Sequence, residues 1–335
     1  MPDAPTTPTA GTRYVIGVDL GGTNIVVGVM PEDGSREIAM RSQPTRSELG
    51  SDMVVDRIVQ MIEDAITVTR AETGAAREDF LGVGVGAPGP FDRQRGVVVF
   101  APNLGWRNLP LRDLIADRVG LTAALDNDAN CATLGEWWTG AAKGARNVIG
   151  ITIGTGIGGG IILDGRLYHG SSDMAGEIGH MTIDSNGRRC NCGNYGCLEA
   201  YTSGPAIAER AREALNADES SILSSLVNGK LERITAQTVY EASEKGDQVA
   251  REVVRDTARF LGAGIANLLN TFNPDCVVVA GGVTQAGEAL FEPLRAEVRR
   301  RAFKPAVDAC RIVPGILPGS AGVVGAVATF LQQRA

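Results

Sequence analysis

The chain has 335 residues, with 39 acidic and 32 basic side chains and a formal charge of −7. That balance leaves no basic face for a phosphate backbone, so no nucleic-acid partner is expected. Hydrophobic residues at 44% and charged residues at 21% are ordinary globular values, and the length suits two domains.

No apolar run approaches the roughly 18 residues of a spanning helix, so no membrane partner is expected. Residues 1–12 are rich in Pro, Thr and Ala and lack the charged and apolar regions of a signal peptide. They read as a disordered tail, and the expected location is cytoplasmic. Three of the six cysteines (Cys131, Cys276, Cys310) are scattered, which fits a reducing compartment.

The first elements form a hairpin. Residues 14–30 read Y-V-I-G-V-D-L-G-G-T-N-I-V-V-G-V-M, two apolar strands around a Gly-rich turn. The segment Asp19-Leu20-Gly21-Gly22-Thr23-Asn24 would expose backbone N–H groups and a hydroxyl to a phosphate, with Asp19 placed to orient a metal ion or its water. Taken alone it is equally a plain hairpin turn. A helix follows over 53–69, then a buried strand over 81–87 broken by Gly86-Ala87-Pro88-Gly89-Pro90. A short strand over 97–100, a helix over 110–119 and a strand over 123–126 come next. A helix over 129–139 opens behind Asn127-Asp128.

The run Asp126-Asn127-Asp128-Ala129-Asn130 carries four Asn or Asp side chains in five positions. Helix capping needs one of them. A carboxylate here could accept the proton of an attacking hydroxyl, and an ordinary Asp pKa of about 3.9 suffices for a proton that leaves late.

Residues 147–163 repeat the hairpin design, with Val148-Ile149-Gly150 aligning on Val15-Ile16-Gly17. Their turn, Gly154-Thr155-Gly156-Ile157-Gly158-Gly159-Gly160, is a second Gly-rich loop. Two such loops can grip a polyphosphate from two sides. The G-x-x-x-x-G-K-[ST] loop is absent, and a dinucleotide turn would open a helix where an apolar strand follows here. The duplication suggests two α/β domains facing each other across a cleft.

The densest chemistry lies in residues 176–199, G-E-I-G-H, nine residues, then C-N-C-G-N-Y-G-C-L-E. His180, Cys190, Cys192 and Cys197 make a Cys3His set, which closes a tetrahedral zinc site and argues for structural metal. A disulfide plus a spare thiol is disfavoured by the odd count. Glu177 and Glu199 bracket the cluster, and hydrogen bonding a polyhydroxy substrate is a plausible use for them. Helices over 206–215, 236–244 and 250–269 follow, then a strand over 276–280 ending in Gly281-Gly282-Val283. There Gly-Gly would admit a flat ring or ribose, or simply make a tight turn. A strand near Ile312 and a small-residue helix over 320–333 close the chain, and the alternation indicates α/β layers.

Together these motifs resemble the ROK family of sugar kinases and repressors, especially its bacterial glucokinases, over nearly the whole chain. The resemblance implies a two-domain actin-like ATPase (ribonuclease H-like) sugar kinase fold with an interdomain cleft. Its domains would be residues 13–126, with a C-terminal helix over about 321–335 packing back, and residues 127–320. It implies Asp128 as catalytic base, and Asn127, Asp128, Glu177, His180, Glu199 and, more weakly, Gly89 and Asn103 as sugar contacts. His180, Cys190, Cys192 and Cys197 would hold structural Zn2+. Asp19, Gly21, Gly22, Thr23 and Asn24, with Gly154, Thr155, Gly156, Gly281 and Gly282, would bind ATP with Mg2+. Cys131 stands where a small apolar residue is commoner in the family.

The implied reaction is ATP-dependent phosphorylation of D-glucose at its 6-hydroxyl by a homodimer or homotetramer. Other hexoses (N-acetylmannosamine, N-acetylglucosamine, mannose, fructose) and polyphosphate as donor stay open. The family's repressors carry an N-terminal helix-turn-helix, for which the stretch before the first strand is too short.

Overall fold

The computed structural model describes residues 11–216 and 220–334, which form two compact units. Apart from Gly11 and Thr12, the tail expected over residues 1–12 lies outside the described residues. Among the described residues no helix is long and apolar enough to cross a membrane.

Among the described residues the first unit comprises 11–144, 167–175 and 319–334. Its sheet uses β1 (Tyr14–Leu20), β2 (Asn24–Pro31), β3 (Ile38–Pro44), β4 (Phe80–Ala87) and, labelled in chain order, β8 (Ala123–Asn127). Between the last two lie β5 (Phe91–Asp92), β6 (Val97–Ala101) and β7 (Trp106–Leu109), which make a small sheet of their own. The main order is β3-β2-β1-β4-β8, with β1–β2 and β2–β3 antiparallel and β1–β4 and β4–β8 parallel. Helices α1 (Ser51–Thr73), α2 (Leu111–Val119) and α3 (Asp128–Trp138) complete it with the C-terminal helix, Ala321–Arg334.

Helix α1 buries Val54, Val55, Ile58, Ile62 and Ile66 at helical spacing. It stops at Gly74, whose φ of 75° lets its N–H reach the Arg70 carbonyl. Its stripe joins Ile16, Val18 and Leu20 of β1 in one core.

The C-terminal helix lies so close to this sheet that a Cβ on Gly84 of β4 would sit 1.8 Å from the Ala326 carbonyl oxygen. From the helix side, a Cβ on Gly325 would sit 1.5 Å from the Cys131 carbonyl oxygen of α3. Many of the chain's glycines therefore serve helix packing rather than ligand approach. The same contact explains where the chain changes units. A break at Asp126/Asn127 was expected, but α3 is clamped on the C-terminal helix and the first unit runs on to Gly144.

The second unit comprises residues 145–166 and 176–318. Its strands are β9 (Val148–Ile153), β10 (Ile157–Leu163), β11 (Arg166–Leu167), β12 (Cys276–Ala280) and β13 (Arg311–Pro314), in the order β11-β10-β9-β12-β13. An antiparallel hairpin (β9–β10) again continues into parallel neighbours (β9–β12, β12–β13), the design of β2-β1-β4-β8. Helices α4 (Glu199–Thr202), α5 (Gly204–Asn216), α6 (Leu223–Leu226), α7 (Ala236–Glu244), α8 (Gln248–Phe272), α9 (Glu288–Arg301) and α10 (Lys304–Ala309) complete it. The core joins Ile149 and Ile151, Val277 and Val279, and Leu261 and Ile265 of α8.

Gly84→Ala should destabilise the protein by about 1–3 kcal/mol, because the added carbon meets helix backbone that cannot rotate away. Thermal melting checks this: a lowered midpoint is expected, and an unchanged one would contradict the close sheet–helix contact.

Candidate active site

In the first unit the β1–β2 turn is pinned from outside. The Gly21 N–H donates to the Asn24 carbonyl (2.9 Å) and the Thr23 carbonyl accepts from the Thr45 N–H (2.8 Å). The Thr45 hydroxyl donates to the Gly21 carbonyl at 2.7 Å. Thr45 is fully buried, while Gly22, Thr23 and Asn24 are exposed. Buried Thr45 thus holds a turn whose residues 22–24 face solvent, and Asn103 lies against Gly22.

Asp19, at the end of β1, sits beneath the start of the C-terminal helix, where a Cβ on Gly322 would come within 2.3 Å of its carboxylate. Burial, and then the nearby Asp128 charge, push its pKa up to about 7. Two neighbouring carboxylates, one of them buried, make a fitting place for a cation.

The four polar side chains around α3 divide their work. Asn127 is the cap, its Oδ1 accepting from the N–H groups of Ala129 (2.9 Å) and Asn130 (3.3 Å). Asp126 is buried, and its Oδ1 accepts from the Asn127 N–H and from Asn130 Nδ2, both at 2.8 Å. Asp128, half-buried, begins the helix, its Oδ1 accepting from the Ala129 N–H at 2.8 Å. Gly89 has a φ of +90°, and a Cβ there would meet the Phe100 carbonyl at 2.1 Å. That packing alone accounts for the glycine.

The second unit holds the remaining predicted residues. Gly154, Thr155 and Gly156 form the exposed β9–β10 turn, closed by the Gly154 N–H donating to the Gly156 carbonyl (2.9 Å). Two bonds from one neighbouring segment hold it. Gly204 N–H donates to the Gly154 carbonyl (2.9 Å), and the Ile157 N–H donates to Glu199 Oε2 (2.9 Å). Gly281 has a φ of +97° and sits on the Ile153 carbonyl. Gly154, Thr155, Gly204, Ile234, Gly282 and Val283 line a cavity of about 570 Å³, within the usual range for small-molecule sites. Nothing in the sequence motifs points to the wall from Gly204 and Ile234. Its only local signal is the helix-start chemistry of Gly204-Pro205 and Thr235.

The cysteine cluster assembles around a tight turn in which Cys190 N–H donates to the Asn194 carbonyl (2.8 Å) and Gly193 N–H to the Cys190 carbonyl (3.0 Å). The ligand atoms of His180, Cys190, Cys192 and Cys197 all lie within 4.8 Å of one another. Cys192 Sγ is 3.7 Å from Cys197 Sγ, and Cys190 Sγ is 3.8 Å from His180 Nδ1. Zinc–sulfur bonds of about 2.3 Å span tetrahedron edges of about 3.8 Å, so the donor set fits that ion.

Burial pushes the Cys190 thiol up to about 12, whereas the Asn194 N–H draws Cys192 below the usual thiol range. His180 turns Nδ1 to the thiols and its Nε2 towards Glu177 Oε2, 4.0 Å away. Gly176 and Gly179 let this segment lie on β10, since Cβ atoms there would strike the Gly159 and Ile157 carbonyls. Glu199 is committed on both sides: Oε2 accepts from the Ile157 N–H, and Oε1 lies 3.6 Å from Cys190 Sγ.

One residue without an assigned role is strongly engaged. His169 Nε2 lies 2.7 Å from Asp126 Oδ2.

Comparison with known proteins places these features in context. Residues 15–333 match the model of the ROK family. The chain is 38% identical to a glucokinase of Halalkalibacterium halodurans over 96% of each chain. It is 37% identical to a glucokinase of Thermotoga maritima, covering 96% of this chain and 98% of the relative. Among solved structures, a ROK family glucokinase from Streptomyces griseus in complex with glucose and AMPPNP superposes with a TM-score of 0.79 at 38% identity, over 94% of this chain and 98% of that one. The chain belongs to the ROK family, with the actin-like ATPase fold of its sugar kinases.

Proposed function

We propose that the protein is an ATP-dependent glucokinase that phosphorylates D-glucose at the 6-hydroxyl, with Asp128 as general base. The observation that carries this reading is near-full-length identity to glucokinases, one of them solved with glucose and AMPPNP. The chain's own residues support it.

Asp128 is the first residue of α3, where the helix N-terminus favours the negative charge that a base must carry. Its role is to accept the 6-hydroxyl proton as the phosphoryl group leaves the donor. Asn127 Oδ1 is spent on the cap, which leaves its amide to donate to a sugar oxygen, with Gly89 and Asn103 as further contacts. In the second unit, His180 Nε2 and the Glu177 carboxylate are proposed to bind sugar hydroxyls. Glu199 shares that work with support of the β9–β10 turn.

His180, Cys190, Cys192 and Cys197 would hold a structural zinc ion, which supplies loop stability and a fixed imidazole. Asp19 would hold Mg2+ or its water, the charge that offsets the donor phosphates. The exposed N–H groups of the β1–β2 and β9–β10 turns are proposed to receive phosphate oxygens. The cavity beside Gly282 supports ATP over polyphosphate, because a bare polyphosphate needs no apolar pocket for a base. A homodimer or homotetramer is proposed from the family resemblance, and a cytoplasmic location from the composition and the scattered cysteines.

Asp128→Asn should leave glucose affinity within about twofold and lower kcat by about 10²–10⁴. Coupled turnover assays with calorimetry check this, and a near-normal kcat would reassign the base. Purified protein should carry zinc, and Cys192→Ser should lose it together with much of the glucose affinity. Metal analysis beside glucose titration decides, and full affinity in verified zinc-free protein would count against the zinc role.

Asp19 sets a pH dependence. A cation binds the ionised carboxylate, so apparent Mg2+ affinity should fall as pH drops through about 7. The folded pKa lies above the unfolded 3.8, so the native state holds the extra proton between them, and this group's contribution to stability declines as pH rises through that window. Mg2+ titrations across the window should show the fall in wild type and lose it in Asp19→Asn. A pH-independent wild type would contradict the assignment.

A further inference from the structure

The chain has two histidines, and His169 is the one with no part in the proposed chemistry. Its side chain is 16% exposed and the Asp126 side chain only 1%. A carboxylate can only accept, so Nε2 carries the proton and donates to Asp126 Oδ2 across 2.7 Å. The ring also stands edge-on to buried Phe91, with centroids 6.5 Å apart. Asp126 Oδ1 accepts from the Asn127 N–H and from Asn130 Nδ2. The carboxylate therefore bridges His169 to the Asp126–Asn127 peptide and to Asn130, the groups on either side of Asp128 at the start of α3.

We infer that His169 is a positioning residue: by fixing the Asp126 carboxylate it sets the Asp126–Asn127 peptide and the Asn130 side chain of the first α3 turn, and with them the direction of the Asp128 side chain. This rests on the reading of Asp128 as base. Without the imidazole, Asp126 Oδ2 is a buried charged acceptor with no donor, a costly state. The carboxylate relieves it by rotating, which gives up the Asn127 and Asn130 bonds. The alternative is that His169 merely anchors residues 167–175. That segment has an independent anchor, however. The Arg93 N–H donates to Asp173 Oδ2 at 3.2 Å, and Arg93 Nε lies 3.6 Å from Asp173 Oδ1.

The test compares His169→Phe, which keeps the ring but lacks the donor, with His169→Gln, whose amide N–H restores one. Glucose and ATP kinetics, glucose affinity and melting temperature are measured for both and for wild type. A misplacement of about 1 Å costs about 10² in rate, so His169→Phe should lose about 10- to 100-fold in kcat with KM for ATP within about twofold. His169→Gln should recover most of the rate at a similar melting temperature. Wild-type kcat in His169→Phe would overturn the inference while leaving the glucokinase reading intact. Equal loss in both variants, tracking a lowered melting temperature, would reduce His169 to a structural role and overturn it too. A wild type that turns over no glucose would overturn both.

Discussion

A loop without a hydrophobic core can present a defined binding surface only if something else holds it, and this is the constraint behind the second unit. Across residues 181–195 Cys190 alone is buried. Two isolated β-bridges, Thr182–Cys197 and Arg189–Tyr195, are its regular pairing. Met181 and Ile183 pack partly buried against the core, and the rest of the loop has little apolar burial to hold it. Structural zinc contributes about 10–16 kcal/mol of apparent binding free energy in small sites, enough to replace a missing core. The Cys3His arrangement is the natural receiver of that energy.

The consequence reaches past the loop. Glu199 follows Cys197 by two residues, and its carboxylate receives the Ile157 N–H at the end of the β9–β10 turn. Five residues further on, Gly204 N–H holds the Gly154 carbonyl of the same turn. One short segment, residues 197–204, thus carries the last cysteine of the cluster, both contacts to the glycine turn and Gly204 of the cavity wall. In the first unit, α3 serves similarly as a platform. The cap at Asn127 and the buried Asp126 network define the start of a helix whose flank is locked on the C-terminal helix by Gly135 and Gly325.

Much of this was legible in sequence because the chemistry is contiguous. The Asp19–Asn24 turn, the Asp126–Asn130 run, the glycines after β9 and the cysteine window each lie on one stretch of chain, so their residue types announce them. What was hidden depends on contacts far apart in sequence. His169 meets Asp126 across 43 positions, and nothing near His169 signals that pairing. Helix α9 is not legible in sequence because Pro293 and three consecutive arginines, Arg299 to Arg301, mask its apolar stripe. Gly84 and Gly325 read as part of a strand and a helix, but why glycine stands there shows only in the backbone packed against each. The unit boundary moved from Asp126 to Gly144 for the same reason: tertiary packing, not local composition, assigns α3.

The central claim is that a metal-held loop supports the glycine turn through Glu199. Hydrogen exchange at the Ile157 amide tests it most directly, comparing zinc-loaded protein with protein stripped by chelation. The account predicts that stripping deprotects this amide along with residues 181–197 while β1 and β4 keep their protection. Unchanged protection at Ile157 in protein proven free of zinc would contradict it.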